Sequence, residues 1–319
     1  MRHGRARGKD GRRQNGARRL GDLVKSGTRA AAVYILIYAV VIGFTDNYVR
    51  VIAAEVGLWQ FHAMRSVMAA LILAAVAVLS GLSLRPARPG PVAARSVVHA
   101  LAMLLYFAGL GFLPVPQVAA GLFTAPFFVL LIARLAYGTP IRPVQVVAVV
   151  MGFAGILLVL GPEAGAGFSP VTALPVAAGF FYALGNIATR AWTPGERAEV
   201  LTGGFFIAIG VLGVVGMAVL ALHPVAEADF LTRGPVWPSR VVLFWTFVQA
   251  AGSLFAVTMM VRGYQATEAS RAAVLEYVLL PVSALWGLVL WAEVPGAMAL
   301  IGMALIVAAG VVVVRNSEA

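Results

Sequence analysis

Asp46 and Arg50 stand four residues apart, acid first, and Asn47 lies three before Arg50. On a helix this spacing puts Asp46 and Arg50 on one face. There the pair can neutralise itself and still contact a zwitterionic solute; its structural reading is an ion pair that fixes helix packing. His62 and Arg65 are three apart and share a side of their segment. An imidazole titrates near neutrality when solvated. A buried guanidinium needs an anion, and Asp46 and Glu276 are the candidates. Glu276 lies five residues before Pro281, among Val274, Leu275, Val278 and Leu279. An acid in such surroundings suits a group that binds and releases a proton. Pro281 removes a backbone donor close by, which can open the helix at that level. The competing readings make Glu276 a partner for an Arg or place it at the lipid edge. His99, Tyr106, Gln117, Tyr182, Asn186, Gln249 and Tyr277 add neutral polar groups, suited to a wet cavity or to bonds between helices.

These residues sit in unusually apolar surroundings. Of 319 residues, 61% are hydrophobic and 12% charged, about half the charge of a soluble chain. Ten apolar segments follow one another: Ala30–Ile52, Leu58–Ser80, Ala94–Phe112, Gln117–Ala136, Val144–Leu160, Val171–Arg190, Val200–Leu222, Val241–Val261, Arg271–Trp291 and Met298–Val314. Crossing a hydrocarbon core takes roughly 20 helical residues, and bare backbone amides have no partner in lipid. The expectation is therefore an all-α membrane protein of ten transmembrane helices, with connectors too short for a soluble domain.

Residues 1–29 hold ten Lys or Arg against Asp10 and Asp22, so most of the formal charge of +11 sits there. That segment has no aromatic residue to stack on a base, so it reads as a disordered basic tail held near anionic lipid, and not as a nucleic-acid binder. With the tail placed in the cytoplasm, alternate gaps carry Arg85, Arg88 and Arg95, then Arg134 and Arg142, then Arg190 and Arg197, then Arg262 and Arg271. The opposite gaps carry Arg50, Arg233 and Arg240, with Glu55, Glu163, Glu227, Asp229 and Glu293. The positive-inside rule then puts both termini in the cytoplasm of a bacterial-type inner membrane, with an even number of spans.

A shift of 155 residues lays Val115–Ile156 on Ser270–Val311 without a gap. Pro126 meets Pro281, Leu130 meets Leu285, Leu135 meets Leu290, Pro140 meets Pro295, Ala154 meets Ala309, and Gly155 meets Gly310. These pairs match the fourth and fifth spans to the ninth and tenth. Five spans per half is odd, so the second half enters the membrane in the opposite sense. The expected architecture is two inverted five-helix repeats, residues 30–160 and 171–315, with a site near the midplane where they meet. Pro126 and Pro281 are the expected helix-break positions.

Three stretches, Phe61-His62-Ala63-Met64-Arg65-Ser66-Val67-Met68-Ala69, Pro126–Gly155 and Pro281–Gly310, resemble the ten-helix EamA-type members of the drug/metabolite transporter superfamily. Glu293, twelve residues after Pro281, is similar to that family's membrane-edge acid; Gly138 or Thr139 stands at the matching place in the first half. The resemblance covers about residues 30–315. It implies alternating access, a cavity built mainly by helices other than the fifth and tenth, and a small organic solute as substrate. The expected activity is export of an amino-acid-like metabolite, with a proton as a second ligand. The alternative is import of a nucleoside-like or adenosyl metabolite on the same scaffold. Asp46, Asn47, Arg50, His62, Arg65, Glu276 and Tyr277 are the candidate binding or coupling residues. No metal and no cofactor are expected, and the chain reads as a monomer or a homodimer. A membrane-embedded enzyme is the rival class. The sequence has no cysteine, only four His, no His-x-x-Glu-His and no Gly-rich phosphate loop.

Overall fold

Long apolar stretches without internal breakers give long helices here. The computed structural model describes residues 6–109, 113, 115–161, 173–226 and 228–316, with side chains from residue 26 onward apart from those of residues 115–117. Glu163 and Glu227 lie outside the described residues. Thirteen helices follow in order among them: α1 (Ala6–Asn47), α2 (Val49–Ala53), α3 (Leu58–Ser80), α4 (Pro89–Gly109), α5 (Val115–Leu122), α6 (Ala125–Tyr137), α7 (Pro143–Leu160), α8 (Ala173–Ala191), α9 (Ala198–Leu222), α10 (Arg240–Ala266), α11 (Ala269–Glu276), α12 (Leu279–Trp291) and α13 (Ala297–Asn316). No strand occurs among the described residues.

Nine stretches of the described chain are long and apolar enough to cross a membrane. The short pieces α5–α6 and α11–α12 combine into two of them, and α1–α2 into another. The tenth helix of similar length is α8, whose 19 residues are made more polar by Asn186, Thr189 and Arg190. The outer surface is apolar, as lipid contact requires: Val78 is 82% and Leu79 87% exposed near the end of α3. The basic segment expected to be disordered differs, because α1 already begins at Ala6. Extending a helix nucleated by the adjoining span is far easier than starting one.

The most extensive helix pairings are α7 with α13, α1 with α10, α3 with α9, and α4 with α8. Smaller contacts join α1 with α12, α5 and α6 with α8, α4 with α9, and α3 with α10. Small residues allow the closest of these crossings. A Cβ built on Gly155 of α7 would lie 2.6 Å from the Gly302 carbonyl oxygen of α13, so only glycine fits there. The main core gathers α1, α7, α10, α11 and α13 around Ile35, Ile156, Tyr264, Tyr277 and Ile306.

Candidate functional site

The break between α11 and α12 carries the most concentrated chemistry. Glu276 is the last residue of α11, and Tyr277 and Val278 turn the chain before α12 starts at Leu279. Their amides reach back three residues, Tyr277 to Val274 at 3.3 Å and Val278 to Leu275 at 3.2 Å, so the helix tightens as it breaks. Pro281 is the third residue of α12 and Pro126 the second of α6. Both prolines thus begin a new helix, where a missing amide costs little, and the breaks lie just before them.

Glu276 is buried, and its carboxylate faces phenols. Tyr264 of α10 donates to Oε2 at 2.6 Å, and Tyr182 of α8 donates to Oε1. Tyr38 of α1 supplies a third hydroxyl against the same group. Four helices therefore converge on one acid. No arginine pairs with it among the described residues, which separates it from Arg65. Tyr277 points elsewhere: its hydroxyl donates to the Phe123 carbonyl at 3.3 Å, in the break between α5 and α6. The two breaks thus touch.

A second polar group lies nearer the α2 end. Gln249 of α10 donates to Asp46 Oδ1 at 3.1 Å, and Arg65 Nη1 donates to Gln249 Oε1 at 3.4 Å. The amide therefore relays between an acid on α1 and a guanidinium on α3. The Arg65 guanidinium also lies over the rings of Phe61 and Phe206, 5.2 and 5.4 Å from their centroids. His62 is buried against the Phe107 ring at 4.7 Å, and neither ring nitrogen has a hydrogen-bond partner. Together these side chains can hold a solute bearing both charges and an aromatic or apolar body.

Arg50 and Asn47 stand apart from that group. Arg50 pairs with Glu293 at 2.7 Å at the exposed α2 end, not with Asp46. The i, i+4 geometry fails because α1 ends at Asn47 and a turn at Tyr48 precedes α2. Asn47 donates to the Gly43 carbonyl at 2.7 Å and approaches the Ser283 carbonyl at 3.5 Å, a tie between α1 and α12. Tyr48 stacks on Trp245 at 3.5 Å between centroids and meets Trp291 edge-on, so aromatic rings crowd this end.

Some important residues escaped the sequence reading. Tyr38 and Tyr264 drew no attention there; Tyr264 falls past the end of the expected span Val241–Val261, while α10 runs on to Ala266. Arg95, counted among the charges of a cytoplasmic gap, is instead fully buried. It donates from Nε to Thr189 Oγ1 at 3.1 Å and from Nη1 to the Leu201 carbonyl at 3.0 Å. One turn along α4, His99 Nε2 meets Asn186 Oδ1 at 3.0 Å, and the His99 ring lies edge-on to Tyr182. The side chain of Gln117 lies outside the described residues. Among the described residues, no three His, Asp or Glu side chains gather where a metal ion could be held.

Residues 29–161 match the EamA-like transporter family. Over 225 residues the chain is 29% identical to a riboflavin transporter of Rhizobium johnstonii, covering 70% of this chain and 69% of that one. Over 297 residues it is 22% identical to the pseudopaline exporter CntI of Pseudomonas aeruginosa, covering 93% and 99%. A crystal structure of a protein 23% identical shares the fold, with a TM-score of 0.70 over 92% of this chain and 99% of that one. The chain is a multi-pass membrane protein whose residues 29–161 carry an EamA-like domain, and over most of its length it is similar to transporters.

Proposed function

We propose that the chain is a secondary carrier of the bacterial inner membrane that exports a small, amino-acid-like organic solute by alternating access. Glu276 exchanges a proton during the cycle, and Asp46, Arg65 and His62 contact the solute. Tyr277 couples the two helix breaks. Arg50 and Asn47 hold the rim of the pathway. Residues 30–160 and 171–315 act as inverted five-helix repeats that rock against each other, in one copy or a homodimer. Both termini face the cytoplasm, and the basic segment 1–29 lies on anionic lipid.

The observation that carries this reading is Glu276, a buried acid held by hydroxyls from separate helices at a helix break. An intramembrane ionisable group without an ionic partner is a functional site by default, and rocking of the helices that surround it changes its access to water. The packing supports the repeat. Exchanging the two halves turns α1 with α10 into α8 with α4, turns α4 with α9 into α10 with α3, and leaves α3 with α9 and α7 with α13 unchanged. The exporter direction draws on CntI, the relative matched over most of both chains. A second reading, import of a nucleoside-like solute, draws on the relatives named riboflavin transporter, since a flavin is likewise a heterocycle bearing a polyol chain.

Counterflow in proteoliposomes tests both. Vesicles loaded with unlabelled amino acids, or with riboflavin, are diluted into the labelled compound. Saturable accumulation of one class is expected. With Glu276→Gln, exchange is expected to persist while acceleration by an imposed pH gradient disappears. Unchanged pH-driven transport by that variant at normal expression would sink the role given to Glu276.

A further inference from the structure

Arg95 is a cation that the coupling scheme leaves unused. It lies in the first turns of α4, wholly enclosed, and no carboxylate pairs with it among the described residues. Its two hydrogen bonds go to a threonine hydroxyl and a backbone carbonyl, both neutral, and Nη2 has no partner. Ser96 Oγ and Asn186 Nδ2 are also buried without partners. These groups share one neighbourhood. Asn186 lies one turn before Thr189 on α8, and Ser96 faces Gly204, one turn after Leu201 on α9. A Cβ on Gly204 would lie 2.5 Å from the Ser96 hydroxyl, so the glycine is what lets Ser96 sit against α9. A guanidinium enclosed without an anion is costly, and each unmet buried donor adds to the cost. A planar fork with one free arm, a hydroxyl and an amide N–H is the donor set that an oxyanion takes.

We propose that Arg95, with Ser96 and Asn186, binds an oxyanion, the carboxylate or phosphate of the transported solute. Resting on the carrier reading above, this narrows the substrate to an anionic or zwitterionic compound whose charged end is held at Arg95.

The test is thermal unfolding of the purified full chain in detergent, with sodium succinate or sodium phosphate against sodium chloride of equal ionic strength. One of the two oxyanions is expected to raise the wild-type Tm by about 5 °C at a hundredfold excess over Kd, and which one does so tells carboxylate from phosphate. Arg95→Gln is expected to lose the shift and Arg95→Lys to keep part of it. Should Arg95→Gln fail to fold, Asn186→Ala replaces it, with a weakened shift expected. No oxyanion shift in the wild type, or an undiminished one in Arg95→Gln or in Asn186→Ala, overturns the proposal. The shift is read without transport, so its absence leaves counterflow standing, and a failure of counterflow leaves the shift standing.

Discussion

The break between α5 and α6 and the break between α11 and α12 occupy matching places in the two halves, with Phe123 and Val278 155 positions apart. In the first, Gly121 stands where Glu276 stands in the second. The Gly121 carbonyl accepts the Thr124 hydroxyl at 2.6 Å, and its bare Cα lies against Pro175 of α8. In the second, the matching side chain is an acid held by tyrosines. The bend holds close backbone packing in one half and a buried acid among tyrosines in the other. On the proposed repeat, the coupling role proposed for Glu276 needs no mirror copy, because the partner position Gly121 has given up its side chain.

Exchanging the demands of the two positions should separate these roles most sharply. A Cβ on Gly121 would lie 2.5 Å from Pro175 Cβ, and neither atom can move without its backbone. Gly121→Ala is expected to cost about 1–3 kcal/mol through overpacking, seen as a lower midpoint of thermal unfolding. The dependence of transport on a pH gradient should remain. Glu276→Gln should give the reverse pattern, with little change in unfolding and no pH dependence. If Gly121→Ala abolished the pH dependence while the protein unfolded at the wild-type temperature, the division of labour between the breaks would be wrong.

The link between the breaks is a smaller effect. Tyr277→Phe removes the hydroxyl that reaches the Phe123 carbonyl at 3.3 Å and keeps the ring that fills the space beside Gly152. A loss of about 1 kcal/mol is expected, the usual worth of a single neutral hydrogen bond. The expected transport effect is a slower turnover with unchanged solute affinity, because the breaks would no longer move as one. Wild-type stability and turnover together would mean that the breaks merely touch.

The residues that the sequence revealed and those it hid differ by a physical criterion. Apolar length placed the spans well: Leu58–Ser80 agrees at both ends with α3, and Val144–Leu160 differs from α7 by one residue. Glu276 stood out as a lone acid in an apolar run, but the sequence left open an Arg partner or a lipid-edge place, and packing among tyrosines was not readable there. Arg95 was misplaced because counting charge by gap cannot tell a helix-start residue facing water from one facing the bundle. The Asp46–Arg50 pairing relied on continuous helix, and the turn at Tyr48 ended it. Tyr38, Tyr182 and Tyr264 come from three helices far apart in sequence, so their meeting at Glu276 is a product of packing that no local pattern contains.

The exposed rim offers the mildest contrast with the central break. Arg50 and Glu293 are paired at 2.7 Å with 49% and 55% of their side chains exposed, so solvent and salt screen the pair to well under about 1 kcal/mol. The Arg50 hydrogen bond holds the Glu293 carboxyl below its usual range. A depressed acid contributes fully above its unfolded value, about 4.3, and that contribution fades as pH falls through the lowered value. Arg50 also lies 4.8 Å from the Trp291 ring centroid, a contact that protonation of Glu293 leaves in place. Glu293→Gln is therefore expected to weaken the protein slightly at neutral pH and not at all once wild-type Glu293 is protonated. Arg50→Gln should keep a residual loss of about 0.5 kcal/mol under those acidic conditions. Unfolding midpoints of the two variants, taken at neutral and acidic pH and at low and high salt, resolve the two parts. A loss in Arg50→Gln that is the same at every pH, with none in Glu293→Gln, would assign the whole effect to the contact with Trp291 and none to the ion pair.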